Sequence, residues 1–270
     1  MRNLLNQSAL ALTALLAFSA MAAAQGTIGT PSLDKVDIGP GGPAPRHDLN
    51  GTWVGPVVQR QAAAVPEFTP LGQKLLDLNK PEAKFKVSGT NDPFVRSCDP
   101  LGFPRNMLFE MRSVPSGEML GMTFASLPQR LLVLTQFQRA WREIWIDGRP
   151  LPANVGRKGG PDPRYYGYSV GHWEADNIFV ADTVGVDDST WLNKFGYPHT
   201  VDVHIQERYT RTDQNDLGQA ITVDDPKIYV KPFVLVTNDF KWLPDQNLAE
   251  QLCIPSQLDQ YLSLIGDPAQ

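Results

Sequence analysis

Short strand-like runs, closely spaced along the chain, constrain the fold more than any other feature of this sequence. Apolar and polar residues alternate within these runs, and Gly, Pro, Asp or Asn separates one run from the next. The runs cover residues 106–112, 118–125, 130–137, 141–147, 166–173, 178–184, 200–211, 219–223 and 228–240. Connections such as residues 138–140 and 174–176 are too short for a crossover helix, which favours antiparallel neighbours. The sequence therefore predicts an all-β fold, either an antiparallel barrel or a sandwich.

The β-rich domain is predicted to be single and to cover residues 48–270. A Gly-x-Trp sequence at residues 51–53 opens the first strand, as it does in lipocalin-like barrels. One or two short helices are expected beside the strands. Thr69 and Pro70 are suited to the cap and the first turn of one helix, and a second helix is predicted from Ser256.

The first 47 residues are predicted to lie outside this domain. Arg2 precedes an apolar stretch at residues 9–24 that ends in three alanines, which is the pattern of a cleavable signal peptide over residues 1–24. The apolar stretch is too short to span a bilayer. Residues 25–47 are rich in Gly and Pro, which is typical of a flexible segment. We therefore expect a periplasmic or secreted protein that is not inserted in the membrane after cleavage.

Charge and motif content argue against several function classes. The formal net charge of −5 gives no electrostatic footprint for nucleic acid. The sequence has no Gly-rich phosphate loop and no HExxH or EF-hand spacing. Neither a cofactor nor a metal site is therefore predicted.

The cysteine content is limited to Cys98 and Cys253. In an exported protein these two residues either form one disulfide or remain as two buried thiols. We predict the disulfide, which in the chain-entropy model stabilises the fold by about 4 to 5 kcal/mol because the closed loop is long.

The alternation of residues 200–211 assigns a buried and an exposed face to one strand. The buried face is predicted to carry Val201, Val203, Ile205, Glu207, Tyr209 and Arg211, and the exposed face Asp202, His204 and Gln206. A buried Glu207 carboxylate requires a cation, and Arg142 and Arg211 are the candidates. Glu207 is therefore either part of a structural ion pair or a catalytic carboxylate.

A serine-hydrolase motif is present in outline. Residues 167–171, Gly-Tyr-Ser-Val-Gly, match the G-x-S-x-G pattern of a nucleophile elbow. That elbow requires a helix directly after the serine, whereas another predicted strand, residues 178–184, follows almost at once. The sequence therefore favours an ordinary strand position for Ser169.

His199 is the remaining candidate for catalysis, with Asp182 or Asp187 as its partner. Asp182 alternates with apolar residues, which predicts a buried carboxylate with a raised pKa that can act as acid or base. Structural hydrogen bonding is the competing interpretation for these side chains.

Aromatic and polar side chains are interleaved within residues 141–211. They form either an internal hydrogen-bond network or the lining of a ligand site, and in a barrel they can line a pocket for a flat apolar molecule. The candidate ligand-binding residues are Trp141, Arg142, Trp145, Trp173, Trp191 and Tyr209.

A series of motifs gives the chain a family resemblance. The motifs are Cys-Asp-Pro-Leu-Gly-Phe-Pro-Arg at 98–105, Trp-Arg-Glu-Ile-Trp at 141–145, Asp-Gly-Arg at 147–149, Gly-Tyr-Ser-Val-Gly at 167–171, Trp-Glu at 173–174, Pro-His at 198–199 and Glu-Arg at 207–208. In this order they resemble a large family of exported bacterial proteins without an assigned function. The resemblance covers roughly residues 48–253 and implies neither a substrate nor a cofactor.

The chain departs from that family's pattern at several positions. Gln136, His172 and Tyr197 stand where the family usually has Glu, Arg and His, and the acidic residues that usually follow the cysteine matching Cys253 are absent. If those positions hold a metal or act as acid and base in the family, the resemblance implies that this chain lacks that function.

Three functions remain open from the sequence. The first is a periplasmic barrel that binds a small apolar or aromatic molecule. The second is a hydrolase, lyase or isomerase without a cofactor, which uses His199 with Asp182 or Asp187. The third is a structural envelope protein whose polar network only stabilises it. A filled barrel without a cavity favours the third, and a cavity with His199 beside a carboxylate favours the second.

Overall fold

In the part of the chain that the structure describes, nine strands close into a β-barrel, which confirms the predicted all-β fold and selects the barrel over the sandwich. The computed structural model describes residues 38, 41–61, 64–81, 89–108, 121–245, 251–261 and 263. The strands are β1 (Gly51–Gln61), β2 (Gly121–Leu127), β3 (Arg130–Thr135), β4 (Trp141–Trp145), β5 (Tyr168–Ala175), β6 (Ile178–Val184), β7 (His204–Arg211), β8 (Asp216–Asp224) and β9 (Phe233–Trp242). Each strand pairs with the next one along the chain, and β9 closes the barrel on β1. The predicted signal peptide lies outside the described residues, as does most of the predicted flexible segment.

Short helices accompany the strands. They are α1 (Pro70–Leu78), α2 (Pro93–Ser97) and α3 (Pro255–Tyr261), with a 3-10 turn at Arg105–Met107. The cap of α1 is as predicted, because Thr69 Oγ1 accepts a hydrogen bond of 3.0 Å from the N–H of Gly72. The strand predicted at residues 106–112 is wrong at its start, where the 3-10 turn stands, and residues 109–112 lie outside the described part. No helix in that described part is long and apolar enough to cross a membrane.

Strand β7 has the inward and outward faces that its alternation predicts. Val203, which precedes the strand, Ile205 and Tyr209 are fully buried, whereas His204 and Gln206 are half-buried on the outer face. Val201 is only half-buried, because it lies in the turn before β7. The predicted register of this strand is confirmed.

The pairing of β4 with β5 is parallel and short, which corrects the expectation of antiparallel neighbours throughout. Only Ile144 with Ser169 and Trp145 with Val170 are paired. The end of β4 thus lies beside the start of β5, and residues 146–167 connect the two strands without a helix. As a result, residues 141 and 142 of β4 extend past the point where β5 begins.

Side chains fill the barrel lumen. The rings of Phe124 on β2 and Tyr209 on β7 meet edge to face with centroids 5.3 Å apart, although their strands are not neighbours. Phe103 and Met107, from the segment around the 3-10 turn, are buried in the same core. At β1, Trp53 Nε1 donates to the carbonyl of Leu49 at 2.8 Å. The interior is therefore a packed core, in which Phe103 and Met107 fill space that the side chains of the strands do not occupy.

The predicted disulfide is present. Cys98 and Cys253 are bonded, and their Cα atoms lie 5.4 Å apart. The bridge joins the end of α2 to the segment before α3. Gln251 in that segment also accepts a hydrogen bond of 2.6 Å from the N–H of Gln138, at the turn between β3 and β4. The C-terminal segment is thereby attached to the barrel at two points.

Candidate functional site

A cleft of about 700 Å³ opens in the barrel wall beside β4, and we refer to it as the wall cleft. It is lined by residues 141–143 of β4, by Trp145, and by parts of the connection and of β5. Its aromatic side chains are Trp141, Trp145, Tyr165, Tyr166 and Tyr168. Its polar side chains are Arg142, Glu143, Arg149, Arg164, Ser169 and Asp187. The cleft exists because β5 begins too late to cover the first residues of β4.

The rim of the wall cleft exposes a large apolar surface. Trp141 is 61% exposed, because Arg142 beside it takes the inward face of β4. Leu134, the neighbour of Trp141 across the β3–β4 ladder, is also exposed. Deeper in the cleft, burial raises the pKa of Tyr166 to about 12. The Tyr166 hydroxyl therefore keeps its proton at neutral pH and can donate a hydrogen bond.

Trp145 is held by two guanidinium groups. Cζ of Arg149 lies 3.4 Å from the centroid of its ring, and Cζ of Arg130 lies 4.9 Å from it. Arg149 is itself fixed by Asp147, with Nε–Oδ1 at 2.9 Å and Nη2–Oδ2 at 2.7 Å. The hydrogen bond from Arg149 lowers the pKa of Asp147. Trp145 is thus a preoriented wall of the cleft.

Arg164 is another arginine of the wall-cleft lining. Its Cζ is 4.3 Å from the centroid of the Tyr168 ring. Its N–H donates to the carbonyl of Gly185 at 3.0 Å, and its own carbonyl accepts from the N–H of Asp187 at 3.0 Å. These backbone hydrogen bonds with residues 185–187 fix the position of the Arg164 backbone, and therefore of its Cα atom.

Arg142 connects the wall cleft to a polar network in the lumen. Its Nη2 donates to Oε2 of Glu207, and both side chains are almost completely buried. Tyr209 donates its hydroxyl proton to Glu207 Oε1 at 2.5 Å. Gln219 Nε2 donates to the Tyr209 hydroxyl at 3.0 Å, and Asn238 Nδ2 donates to Gln219 Oε1 at 2.8 Å. We call Arg142, Glu207, Tyr209, Gln219 and Asn238 the lumen network.

Both oxygens of the Glu207 carboxylate accept hydrogen bonds within the lumen network, one from Arg142 and one from Tyr209. Arg142 is the predicted partner, whereas Arg211 donates instead to the carbonyls of Asp48 and Gln214. The Arg142 guanidinium also lies 3.9 Å from the ring centroid of Phe103. Burial, and then the charge of Glu207, raise the pKa of Tyr209 well above its ordinary value. The arrangement is that of a structural ion pair with a neutral tyrosine.

His199 is buried at a second, smaller cavity of about 350 Å³ near the end of α1. Its Nδ1–H donates to the Thr200 carbonyl at 3.1 Å, and its Nε2 lies 3.0 Å from Thr190 Oγ1. Burial lowers the pKa of His199, so the imidazole is neutral. The Thr190 hydroxyl also lies 2.8 Å from the carbonyl oxygen of Asp187, so Thr190 bridges the two predicted partners.

Asp182 is placed on the outer face of β6, because Phe179, Ala181 and Thr183 take the inner face. His204 Nε2 and Gln206 Nε2 each lie 3.0 Å from Asp182 Oδ1. The hydrogen bond from His204 lowers the pKa of Asp182. The expectation of a buried carboxylate with a raised pKa is therefore wrong, and the histidine that Asp182 contacts is His204.

Three of the six predicted ligand-binding residues line the wall cleft, namely Trp141, Arg142 and Trp145. Trp173 instead stacks on His47 with ring centroids 5.0 Å apart. Trp191 lines the second cavity, and Tyr209 belongs to the lumen network. The sequence interpretation missed Arg149 and the Arg-Tyr-Tyr-Gly-Tyr run at 164–168. Three aromatic residues beside an arginine in a loop are a signal that could have been used.

Ser169 is not a nucleophile elbow. It lies within β5 opposite Thr183 of β6, and the two hydroxyl oxygens are 2.8 Å apart. The strand position predicted for Ser169 is confirmed. In the described ranges, no group of three or more His, Cys, Asp and Glu side chains is placed to hold a metal ion.

No protein-family model matches the sequence, and no curated protein is significantly similar to it.

Proposed function

We propose that this chain is an exported binding protein that takes a small apolar or aromatic molecule into the wall cleft. The observation that carries the proposal is a cleft of about 700 Å³ whose lining includes five aromatic side chains. Ligand sites for small molecules have this size, and aromatic walls with a few polar groups are typical of them. The site lies in the barrel wall because side chains occupy the lumen.

Two features of the wall cleft support binding over a purely structural role. Trp141 is 61% exposed beside the exposed Leu134, which is a surface that bound apolar molecules commonly cover. Trp145 is held in place by Arg130 and Arg149 before any ligand arrives. A wall that is already ordered loses little conformational entropy on binding.

The proposal includes export of the protein and its membership of the family that its motifs resemble. The signal-peptide pattern of residues 1–24 supports export, and so does the disulfide between Cys98 and Cys253, since disulfides persist in oxidising compartments. The motif series from residue 98 to residue 208 supports membership of the large family of exported bacterial proteins. Of the departures, Gln136 is buried, His172 is exposed and Tyr197 is half-buried.

The enzyme hypothesis has weaker support. His199 Nδ1–H donates to the Thr200 carbonyl, and His199 Nε2 lies 3.0 Å from the Thr190 hydroxyl, which donates to the backbone carbonyl of Asp187. In the part of the chain that the structure describes, no carboxylate hydrogen-bonds His199. An acid–base pair of His199 with Asp182 or Asp187 would therefore require side chains to rearrange.

Isothermal titration calorimetry with 2-naphthamide, a flat and neutral aromatic probe, tests the proposal. We expect binding to the native protein, and Trp141→Ala should weaken it about three- to tenfold through the loss of an aromatic contact. Leu127→Ala is the matched control, because Leu127 is an exposed apolar residue that does not line the wall cleft. Absence of binding at millimolar probe, or equal affinity in all three proteins, would favour a structural envelope role.

A further inference from the structure

We infer that the ligand of the wall cleft is an aromatic carboxylic acid and that Arg164 binds its carboxylate. The inference rests on the proposed function and narrows its ligand class. The evidence is the set of charged side chains that line the cleft. Most of them form ion pairs within the described part of the protein, whereas Arg164 does not.

Most charges of the lining are already paired. Arg149 forms two hydrogen bonds with Asp147, and Arg142 is paired with Glu207 in the lumen. Glu143 accepts a hydrogen bond of 2.6 Å from Arg130 Nη1. A ligand that enters the wall cleft therefore meets these groups as neutralised pairs.

Arg164 differs from the other two arginines of the lining. Among the residues that the structure describes, its side chain makes no ion pair and no hydrogen bond, and its guanidinium lies against the Tyr168 ring. A guanidinium that rests its face on an aromatic ring keeps its N–H groups directed outward along its edge. This edge matches the two oxygens of a carboxylate.

Asp187 limits how much negative charge the ligand can carry. Its Oδ1 accepts a hydrogen bond of 2.9 Å from the N–H of Ser189, and Asp187 lines the same cleft as Arg164. A second acidic group on the ligand would be repelled by Asp187, whereas a hydroxyl group could donate to it. The lining thus favours one carboxylate per ligand, together with an aromatic body that fits against the Trp and Tyr rings.

Two probes with the same rings separate charge from shape. We expect 2-naphthoate to bind the native protein at least about tenfold more tightly than 2-naphthamide, because it adds a charge-assisted hydrogen bond. The affinity for 2-naphthoate should fall as NaCl is raised, and that for 2-naphthamide should not. Arg164→Gln should remove the preference for the acid and leave the affinity for the amide unchanged.

Arg157→Gln is the control variant, since Arg157 is an exposed arginine that pairs with Asp202 and does not line the wall cleft. It should retain the full preference for 2-naphthoate, and circular dichroism should confirm that both variants are folded. Equal binding of the two probes to the native protein, or an unchanged preference in Arg164→Gln, would overturn the carboxylate inference while the proposed binding function stands. If neither probe binds, the proposed function fails and this inference fails with it.

Discussion

Arg142 on β4 and Glu207 on β7 form a buried ion pair across the barrel lumen, although two other strands separate them along the wall. The Glu207 side chain is completely buried, and that of Arg142 is 5% exposed. The pair therefore links two strands that share no backbone hydrogen bond. It also anchors the inner side of the wall cleft, because Arg142 belongs to the lining of that cleft.

Glu207→Gln should lower the free energy of unfolding by about 3 to 5 kcal/mol, because it leaves the Arg142 charge buried without its partner. Urea denaturation at pH 7 measures this change. The loss should be the same with and without an aromatic ligand. An unchanged free energy of unfolding would contradict the structural role and make Glu207 a functional residue.

Glu174→Gln is the matched control for this measurement. Glu174 also pairs with an arginine, Arg208, but on the exposed outer face of the barrel. Its removal should leave the urea midpoint unchanged within error, since exposed ion pairs contribute little to stability. A large effect of Glu174→Gln would show that the substitution type, rather than burial, causes the loss.

The sequence could predict the inner face of β7, because Val203, Ile205 and Tyr209 alternate with polar residues and one face must be buried. From that face it followed that Glu207 needs a cation, and Arg142 was one of two candidates. The α1 cap at Thr69 and the disulfide were predictable for similar reasons, since each depends on local chemistry or on a single possible pairing.

The sequence could not predict the rest of the lumen network. Tyr209 and Gln219 face each other in the β7–β8 ladder, and Gln219 and Asn238 in the β8–β9 ladder, so these contacts depend on strand register, which the alternation of one strand does not specify. The wall cleft also depends on strand register, because only two residue pairs join β4 to β5. The contact between Asp182 and His204 was not predicted, because the apolar neighbours of Asp182 suggested that this side chain is buried. In the structure Asp182 lies on the outer face of β6.

The disulfide should account for a large share of the stability. Replacing both Cys98 and Cys253 by Ser should lower the free energy of unfolding by about 5 kcal/mol in the chain-entropy model, since the bonded residues are far apart in sequence. Their sequence separation is 155 residues. Urea denaturation of the oxidised protein and of the double variant compares the two. The native protein in reducing agent should match the double variant, and a difference of less than 1 kcal/mol would contradict this account.

Ser169→Ala tests the absence of a nucleophile. The Ser169 hydroxyl meets that of Thr183 inside the barrel wall, so its removal should cost about 1 kcal/mol of stability. Thr183→Val should cost a similar amount, because it breaks the same contact. A fluorophosphonate probe should fail to label the native protein. Labelling that disappears in Ser169→Ala would restore the hydrolase hypothesis.

The Asp182–His204 pair should give the protein a pH-dependent contribution to stability. The hydrogen bond that His204 donates to Asp182 raises the pKa of His204 above its ordinary value of 6.5, and the same contact lowers the pKa of Asp182 below 3.8. The contribution of His204 is complete below pH 6.5 and is lost as the pH rises through its raised folded-state pKa. The contribution of Asp182 is complete above pH 3.8 and is lost as the pH falls through its lowered folded-state pKa. Both are therefore present between these two limits.

Asp182→Asn should return the pKa of His204 toward 6.5, and an NMR titration of the His204 ring measures this shift. The variant should also be less stable at pH 5 by about 1 kcal/mol or less, because the His204 side chain is 41% exposed and solvent screens the pair. At pH 9 the loss should be smaller, since His204 is then neutral in both proteins. His172→Gln serves as the control, because it removes a histidine that acts on Asp182 through its charge alone and keeps the hydrogen bond between His204 and Asp182. A His204 pKa that is the same in Asp182→Asn and in the native protein would show that Asp182 does not set the charge of this histidine.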